Sequence, residues 1–225
     1  MAHHQRPSST VEMLRYRARL IAQMRDYFDA SGACEVTTPV LSRFATSEPA
    51  LDNLALECAP VPGCRYLRTS PESVMKRLLA AGSGDIYQIG PVFRGGEVGK
   101  FHLPEFTMLE AYQAYGDYET MMDLTEQLVI QAIDSIGETS SLPWMDRTID
   151  LKPPWPRKTY SELFQQHTGV AMVDSEKVVE TAAKYGIEPS HKHPDVLVNQ
   201  VFEEVVESQL EGPVFVKDYP ASLCP

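Results

Sequence analysis

Residues 91–112 read PVFRGGEVGKFHLPEFTMLEAY, and this stretch of the sequence decides the fold. An apolar segment at 86–89 precedes the stretch and a second one, 106–112, closes it, and the two predict paired strands. The connection, residues 94–100, is rich in glycine and in charged residues. It is much longer than an Asn-Gly or Asp-Gly hairpin turn. Because long charged loops between strands are usually functional, we expect a site here.

The second of these strands carries a carboxylate where a strand facing the core would not. Alternate residues of a strand share a face, so Glu110 points to the same side as Phe106 and Tyr112. An unpaired carboxylate is costly to bury, so this face either meets solvent or lines a pocket where Glu110 contacts a cation. Arg94 suits bidentate contact with a phosphate, and Phe106 suits stacking on an adenine-like ring. The pattern fits a nucleotide pocket with an amine-binding end, and a solvated hairpin is the alternative.

Amphipathic helices are predicted on both sides of this stretch, because apolar residues recur there at spacings of three and four. These helices are expected at 11–31, 72–81, 118–136, 160–167, 175–185 and 195–210. Residues 34–42 favour a strand that Pro39 interrupts, and residues 214–216 predict a further strand. Residues 142–157 contain both tryptophans and four prolines, which predicts a connector rich in loops.

The composition is that of an ordinary globular protein, with 43% hydrophobic and 23% charged residues in a chain of 225. The formal charge of −11 argues against general affinity for nucleic acid. No apolar run reaches the roughly 18 residues of a membrane helix, and residues 1–10 lack the apolar core of a signal peptide. We therefore expect no membrane contact and a cytoplasmic location. The four cysteines form no CxxC pair, and no metal site is expected.

Several segments resemble motifs of the class II aminoacyl-tRNA synthetases. Residues 93–110 match the pattern FR…H-x-x-x-F-x-x-x-E, which is similar to motif two of that family. The helix that leads to EVTTP at 35–39 is similar to motif one. PEFTMLEAY at 104–112 resembles the lysyl branch. TSPE-x-x-x-KRLL at 69–79 resembles the lysyl-synthetase paralogues that ligate lysine or (R)-β-lysine to elongation factor P.

The resemblance implies an α+β fold, in which a class II synthetase-like antiparallel sheet is flanked by helices. It also implies a flexible N-terminus at 1–10 and a catalytic core with motifs one and two at 11–137. Residues 138–225 would form a connector and a helical insertion leading to a further core strand. The sheet is expected to be incomplete at the C-terminus, because motif three is not in this sequence. The motif-one helix would form a homodimer, with Pro39 at the dimer interface.

The resemblance further implies an ATP site, with Mg²⁺ bridging the phosphates. Arg94 would bind the α-phosphate of ATP and of the adenylate, and it is the expected catalytic residue. His102 would lie near the terminal phosphates, and Phe106 would stack on adenine. The family commonly has Arg-Asn-Glu where residues 94–96 read Arg-Gly-Gly. Glu97 would replace the missing carboxylate only if these glycines let it swing toward adenine.

The amino acid would bind at the other end of the same face. The resemblance implies that Ser70 and Glu72 hold the amino group of the substrate, whereas their local pattern alone predicts ordinary helix capping. Glu110 and Tyr112 would contact the side-chain ammonium of a lysine-like substrate. In this interpretation the ligand supplies the cation that Glu110 needs.

The predicted function is ATP-dependent activation of lysine or β-lysine as an aminoacyl-adenylate, followed by transfer to a lysine of elongation factor P. A tRNA acceptor is considered unlikely, because motif one begins almost at the N-terminus and no anticodon-binding barrel precedes it. One alternative is a catalytic-domain fragment of a lysyl-tRNA synthetase that charges tRNA. Another is an inactive truncated paralogue that binds nucleotide or a partner.

Overall fold

The structure is a computed structural model that describes residues 9–48, 51–57, 62–63, 65–96, 98–100, 102–137, 140–189 and 193–223. The chain divides into two compact units, one up to Leu124 and the other from Thr125. The boundary between the units lies inside helix α3, Tyr118–Ser135. The domain division at 137/138 that the resemblance implies stays a prediction.

Two helices of the first unit begin and end close to where the sequence predicts them. Helix α1 spans Val11–Ser31: the Thr10 hydroxyl accepts a hydrogen bond from the Met13 amide, and Gly32 ends the helix at a φ of 80°. Helix α2 spans Glu72–Ala80. Both predictions are confirmed to within a residue, and Thr10 and Gly32 mark the two ends of α1 in the sequence.

The sheet of the first unit has the strand order β1–β4–β5, with β1 at Cys34–Glu35, β4 at Ile86–Phe93 and β5 at Glu105–Tyr112. Strands β4 and β5 are antiparallel, as predicted, and β1 runs parallel to β4. Strand β4 is longer than the predicted segment, so the connection between β4 and β5 is 94–104.

Strands β2, Leu41–Ser42, and β3, Tyr66–Leu67, form a separate antiparallel pair. Pro39 therefore lies between two strands that belong to different sheets, and the predicted interruption is confirmed.

The core of the first unit joins α1, α2 and β4. Phe28 of α1 stacks on Tyr87 of β4 with the ring centroids 4.4 Å apart, and both side chains are fully buried. Met75 of α2 and Val92 of β4 are buried as well. This packing holds the strand that leads into the connection 94–104.

The prediction of a connector rich in loops at 142–157 is wrong, because most of this segment forms a β-hairpin in the second unit. Strands β6, Ser141–Trp144, and β7, Arg147–Asp150, pair antiparallel, and Met145 adopts a φ of 56° in the turn. Pro143 lies inside strand β6, although proline was taken to indicate a loop. In a two-stranded sheet each strand is an edge, and an edge strand tolerates a residue without an amide hydrogen.

The remainder of the second unit is helical, with one further pair of strands. Its elements are β8 (Arg157–Thr159), α4 (Tyr160–Thr168), α5 (Ser175–Lys184), α6 (Pro194–Val201) and β9 (Phe215–Lys217). Helix α6 continues as a π-helical turn, Phe202–Val206, and a 3₁₀ turn, Glu207–Gln209, so the helix predicted at 195–210 changes its hydrogen-bonding pattern midway.

A core of its own stabilises the second unit. Tyr160 and Phe202 stack with ring centroids 3.9 Å apart, and Phe164 packs beside them without exposure. Strands β8 and β9 pair in parallel, with Arg157 opposite Phe215. Among the helices of the described residues, none combines the length and the apolar character needed to cross a membrane.

Candidate functional site

One face of the β4–β5 pair carries the carboxylate that the sequence singled out. Glu110 lies opposite Gln88, and Tyr112 lies opposite Ile86. The Tyr112 hydroxyl donates a hydrogen bond of 2.6 Å to Oε1 of Glu110, and both side chains are half-buried. The structure therefore brings together the two residues expected at the ammonium end of the site.

The surroundings of Glu110 disfavour its ionised form. Burial raises the pKa of the Glu110 carboxyl, and the negative charge of Glu72 adds to that effect. The hydrogen bond from Tyr112 and the cations Lys76 and Arg68 lower the same pKa, but the net shift is upward. Burial and the adjacent Glu110 also raise the pKa of the Tyr112 hydroxyl, so Tyr112 remains a hydrogen-bond donor. The site thus holds a carboxylate whose ionised form a bound cation would favour.

Arg68 is a buried cation of this site that the sequence analysis did not identify. The residue is 7% exposed, and its guanidinium donates to the Thr38 carbonyl at 2.9 Å, the Thr38 hydroxyl at 2.8 Å and the Pro91 carbonyl at 3.0 and 2.9 Å. Gln88 accepts from the amide and hydroxyl of Thr38, each at 2.9 Å. A Cβ atom on Gly90 would lie 3.1 Å from Nη2 of Arg68. The glycine therefore lets the guanidinium lie against the strand.

Helix α2 carries the residues expected to hold the amino group of the substrate. The Ser70 hydroxyl accepts a hydrogen bond of 3.2 Å from the Glu72 amide, which satisfies one free N–H of the first helical turn. The carboxylate of Glu72 forms an ion pair with Lys76, four residues later on the same helix. The hydrogen bond with Glu72 raises the pKa of the Lys76 ammonium. Ser70 thus caps the helix, and Glu72 already has a cationic partner.

Arg94 and Phe106 lie together at the other end of the β4–β5 face. The Arg94 amide donates to the Pro104 carbonyl at 2.9 Å, and Nε donates to the Thr69 carbonyl at 3.5 Å. The guanidinium carbon lies 5.3 Å from the centroid of the Phe106 ring, which is a cation–π contact. The structure therefore brings the expected phosphate-binding and adenine-stacking residues into one cluster.

The backbone of Gly95 and Gly96 lies against Asp52 in a conformation that favours glycine. The Gly95 amide donates to the Asp52 carbonyl at 2.8 Å, and Gly96 adopts a φ of 73°. A Cβ atom on Gly96 would lie 2.7 Å from Oδ2 of Asp52, so Asp52 would have to move to admit any side chain. The positive φ of Gly96 favours glycine there over the Glu of Arg-Asn-Glu. Glu97, the expected replacement for the missing carboxylate, lies outside the described residues.

His102 and Pro39 are exposed, and the structure does not bring either of them into the clusters above. Two backbone hydrogen bonds join His102 to Gly99 within the connection, at 3.1 and 3.3 Å. In the parts of the chain that the structure describes, no three His, Cys, Asp or Glu side chains form a group that could hold a metal ion. Of the four cysteines, Cys34 is an exposed free thiol, and the others fall outside the described residues.

Lys76 and Arg68 are the two charged residues that sequence reasoning missed. The spacing of four between Glu72 and Lys76 would have predicted their helical ion pair. Arg68 gave no local signal, because its burial depends on residues distant in the sequence, Thr38 and Pro91.

Comparison with known proteins gives a consistent match along the chain. Residues 2–225 match the family model described as tRNA synthetases class II (D, K and N). The chain is 38% identical to the lysine–tRNA ligase of Pelotomaculum thermopropionicum over 95% of its own length and 43% of the relative. It is 36% identical to that of a Synechococcus species over 95% and 43%, and 34% identical to that of Chloroflexus aurantiacus over 95% and 44%. The chain thus spans less than half the length of these curated relatives.

Proposed function

This chain belongs to the class II tRNA synthetases of the D, K and N group, and on that premise we propose that it activates a lysine-type amino acid with ATP. The reaction joins a carboxylate oxygen of the amino acid to the α-phosphorus of ATP and releases pyrophosphate. The product is an aminoacyl-adenylate. The relatives named above are lysine–tRNA ligases, which supports a lysine-type substrate.

The observation that carries the proposal is the half-buried Glu110 with its hydrogen bond from Tyr112. A carboxylate whose pKa burial has raised gains most from a ligand that brings a positive charge. The side-chain ammonium of a lysine-like substrate is such a ligand. Glu72, on the neighbouring helix, would take the second amino group of the same molecule.

Arg94 and Phe106 fit the nucleotide. The guanidinium would neutralise the charge that develops on the α-phosphate, and the ring would stack on adenine. Holding both substrates on one strand face converts their encounter into a reaction within a single complex. Mg²⁺ would neutralise the phosphates when bound. The described residues contain no ligand cluster for it, so no step is derived through the metal.

Exchange of labelled pyrophosphate into ATP, driven by lysine or β-lysine, tests the proposal directly. Arg94→Ala should abolish the exchange, because it removes the cation that is expected to neutralise the α-phosphate. Arg77→Ala, an exposed arginine on α2, is the matched control and should retain the exchange. Normal exchange by Arg94→Ala would contradict the phosphate role. ATP binding without any exchange would favour the alternative of a protein that only binds nucleotide or a partner.

For the acceptor of the acyl group, we propose a lysine of elongation factor P, supported by the resemblance of residues 69–79 to the paralogues that modify this protein. Transfer to tRNA is the second candidate, because the relatives are lysine–tRNA ligases. The sequence-based expectation that tRNA is unlikely finds no support in these names. Incubating the protein with labelled lysine or β-lysine and each acceptor separates the two. Label on tRNA alone would contradict our first choice.

We also propose a cytoplasmic homodimer formed through α1. Phe28 is the fully buried residue of this helix, whereas the apolar Val11, Met13 and Leu14 are more than half exposed. A second copy of the chain would cover them, with Pro39 at the same interface. Sedimentation equilibrium tests this, and a monomer at micromolar concentration would contradict it.

A further inference from the structure

Lys76 places an ammonium group of the protein where the proposed function places one of the substrate. Its Nζ forms an ion pair with Oε1 of Glu72, the carboxylate expected to hold the amino group of the amino acid. The charge of Lys76 also acts on Glu110, the second carboxylate of the site. Lys76 therefore already pairs, along helix α2, with the carboxylate that the substrate is expected to use.

We propose that Lys76 is an internal substitute for the amino group of the substrate, and that an incoming amine displaces it from Glu72. This inference rests on the proposed function. A lysine side chain and an amino acid both present a compact ammonium with three donors, so the same carboxylate accepts either. Lys76 would therefore be a residue that sets the affinity and specificity of the site.

The repulsion between the two carboxylates explains why a substitute is needed. The charge of Glu72 disfavours the ionised form of Glu110, and Lys76 opposes that effect. Without Lys76, Arg68 would be left to oppose the effect of Glu72 on Glu110. Lys76 supplies a balancing charge until the substrate does.

The geometry also makes displacement easy. The side chains of Lys76 and Glu72 are 60% and 53% exposed, so the ammonium can leave its partner by rotating into solvent without disturbing the packed core. The Ser70 hydroxyl accepts from the Glu72 amide, so the backbone that carries the carboxylate stays fixed at the helix start during this exchange.

Two ligands distinguish displacement of Lys76 from Glu72 from a general effect of the Lys76 charge on ligand affinity. Lysine carries both amino groups, whereas 6-aminohexanoate has the side-chain ammonium and lacks the one expected at Glu72. In Lys76→Met and Lys76→Gln we expect lysine to bind about two- to fivefold more tightly, the scale of an exposed ion pair. The affinity for 6-aminohexanoate should rise much less, because Lys76 acts on Glu110 more weakly than on Glu72. Calorimetric titration of the whole chain measures both.

Two control variants accompany the measurement. Lys76→Arg keeps a cation beside Glu72 and should bind lysine as the wild type does. Arg77→Met removes one positive charge from the same helical turn and should leave both affinities unchanged.

Three results would overturn the inference. They are unchanged or weaker lysine binding in Lys76→Met and Lys76→Gln, equal strengthening of both ligands, and strengthening by Arg77→Met as large as by Lys76→Met. In each case the wild type still binds lysine, and the proposed function stands. A wild type that binds neither lysine nor ATP would instead remove the proposed function, and the inference with it.

Discussion

Glu110 is a half-buried carboxylate whose negative charge destabilises the fold. Burial raises the pKa of its carboxyl above the ordinary value of 4.5, so the folded protein binds a proton at this position more readily than the unfolded chain does. The stability associated with this group is therefore fully present below the unfolded pKa, and it is lost as the pH rises through the folded pKa. At neutral pH the ionised Glu110 is therefore unfavourable for the folded state.

Replacing Glu110 with Gln removes that charge while leaving an oxygen to accept the Tyr112 hydrogen bond. We expect Glu110→Gln to be more stable than the wild type at pH 7, and the difference to vanish below about pH 4. Urea unfolding at the two pH values measures it. Glu105→Gln, an exposed position at the start of the same strand, is the control and should change little. Lower stability of Glu110→Gln at pH 7 would contradict this account.

At the scale of the element, capping side chains decide where the helices begin. Helix α4 starts with a complete capping box: the Thr159 hydroxyl accepts from the Glu162 amide at 3.1 Å, and the Glu162 carboxylate accepts from the Thr159 amide at 2.8 Å. Two free N–H groups are satisfied by this pair of residues. The cap also fixes the junction between strand β8 and the helix.

Thr159→Ala should lower the free energy of unfolding of the second unit by about 1 kcal/mol, because the Glu162 amide loses its acceptor. Thr159→Ser keeps the hydroxyl and should stay close to the wild type. Chemical denaturation followed by circular dichroism compares the two variants. If Ser and Ala destabilise equally, the methyl group of Thr159 rather than its hydroxyl is responsible.

Elements with local signals were predictable from the sequence, and contacts between distant residues were not. Helix α1 and the β4–β5 pair follow from periodicity and caps, and so does the placing of Glu110 and Tyr112 on one face. The hairpin at 141–150 was missed because proline was taken to exclude a strand. Arg68 was missed because its hydrogen bonds join segments separated by more than twenty residues.

At the scale of the whole molecule, two hydrophobic cores stabilise two stretches of the chain. Phe28, Met75 and Tyr87 belong to the first unit, and Tyr160 and Phe202 to the second. The residues named for each core lie within one unit. The two units should therefore open as separate cooperative regions.

Phe28→Ala and Phe202→Ala test this independence. Each substitution removes a fully buried ring and should cost about 3–5 kcal/mol in the unit that contains it. Native-state hydrogen exchange should then show faster exchange for amides of one unit and unchanged exchange for amides of the other. Loss of protection in both units after either substitution would indicate a single cooperative fold.

The close approach of Arg68 to Gly90 makes the residue allowed at position 90 depend on the residue at position 68. As long as position 68 is arginine, a side chain at position 90 would come within 3.1 Å of a guanidinium that four hydrogen bonds hold in place. The guanidinium would have to give up part of that network. In a related chain with a shorter residue at position 68, a side chain at position 90 would meet no guanidinium. We therefore expect positions 68 and 90 to covary among related chains.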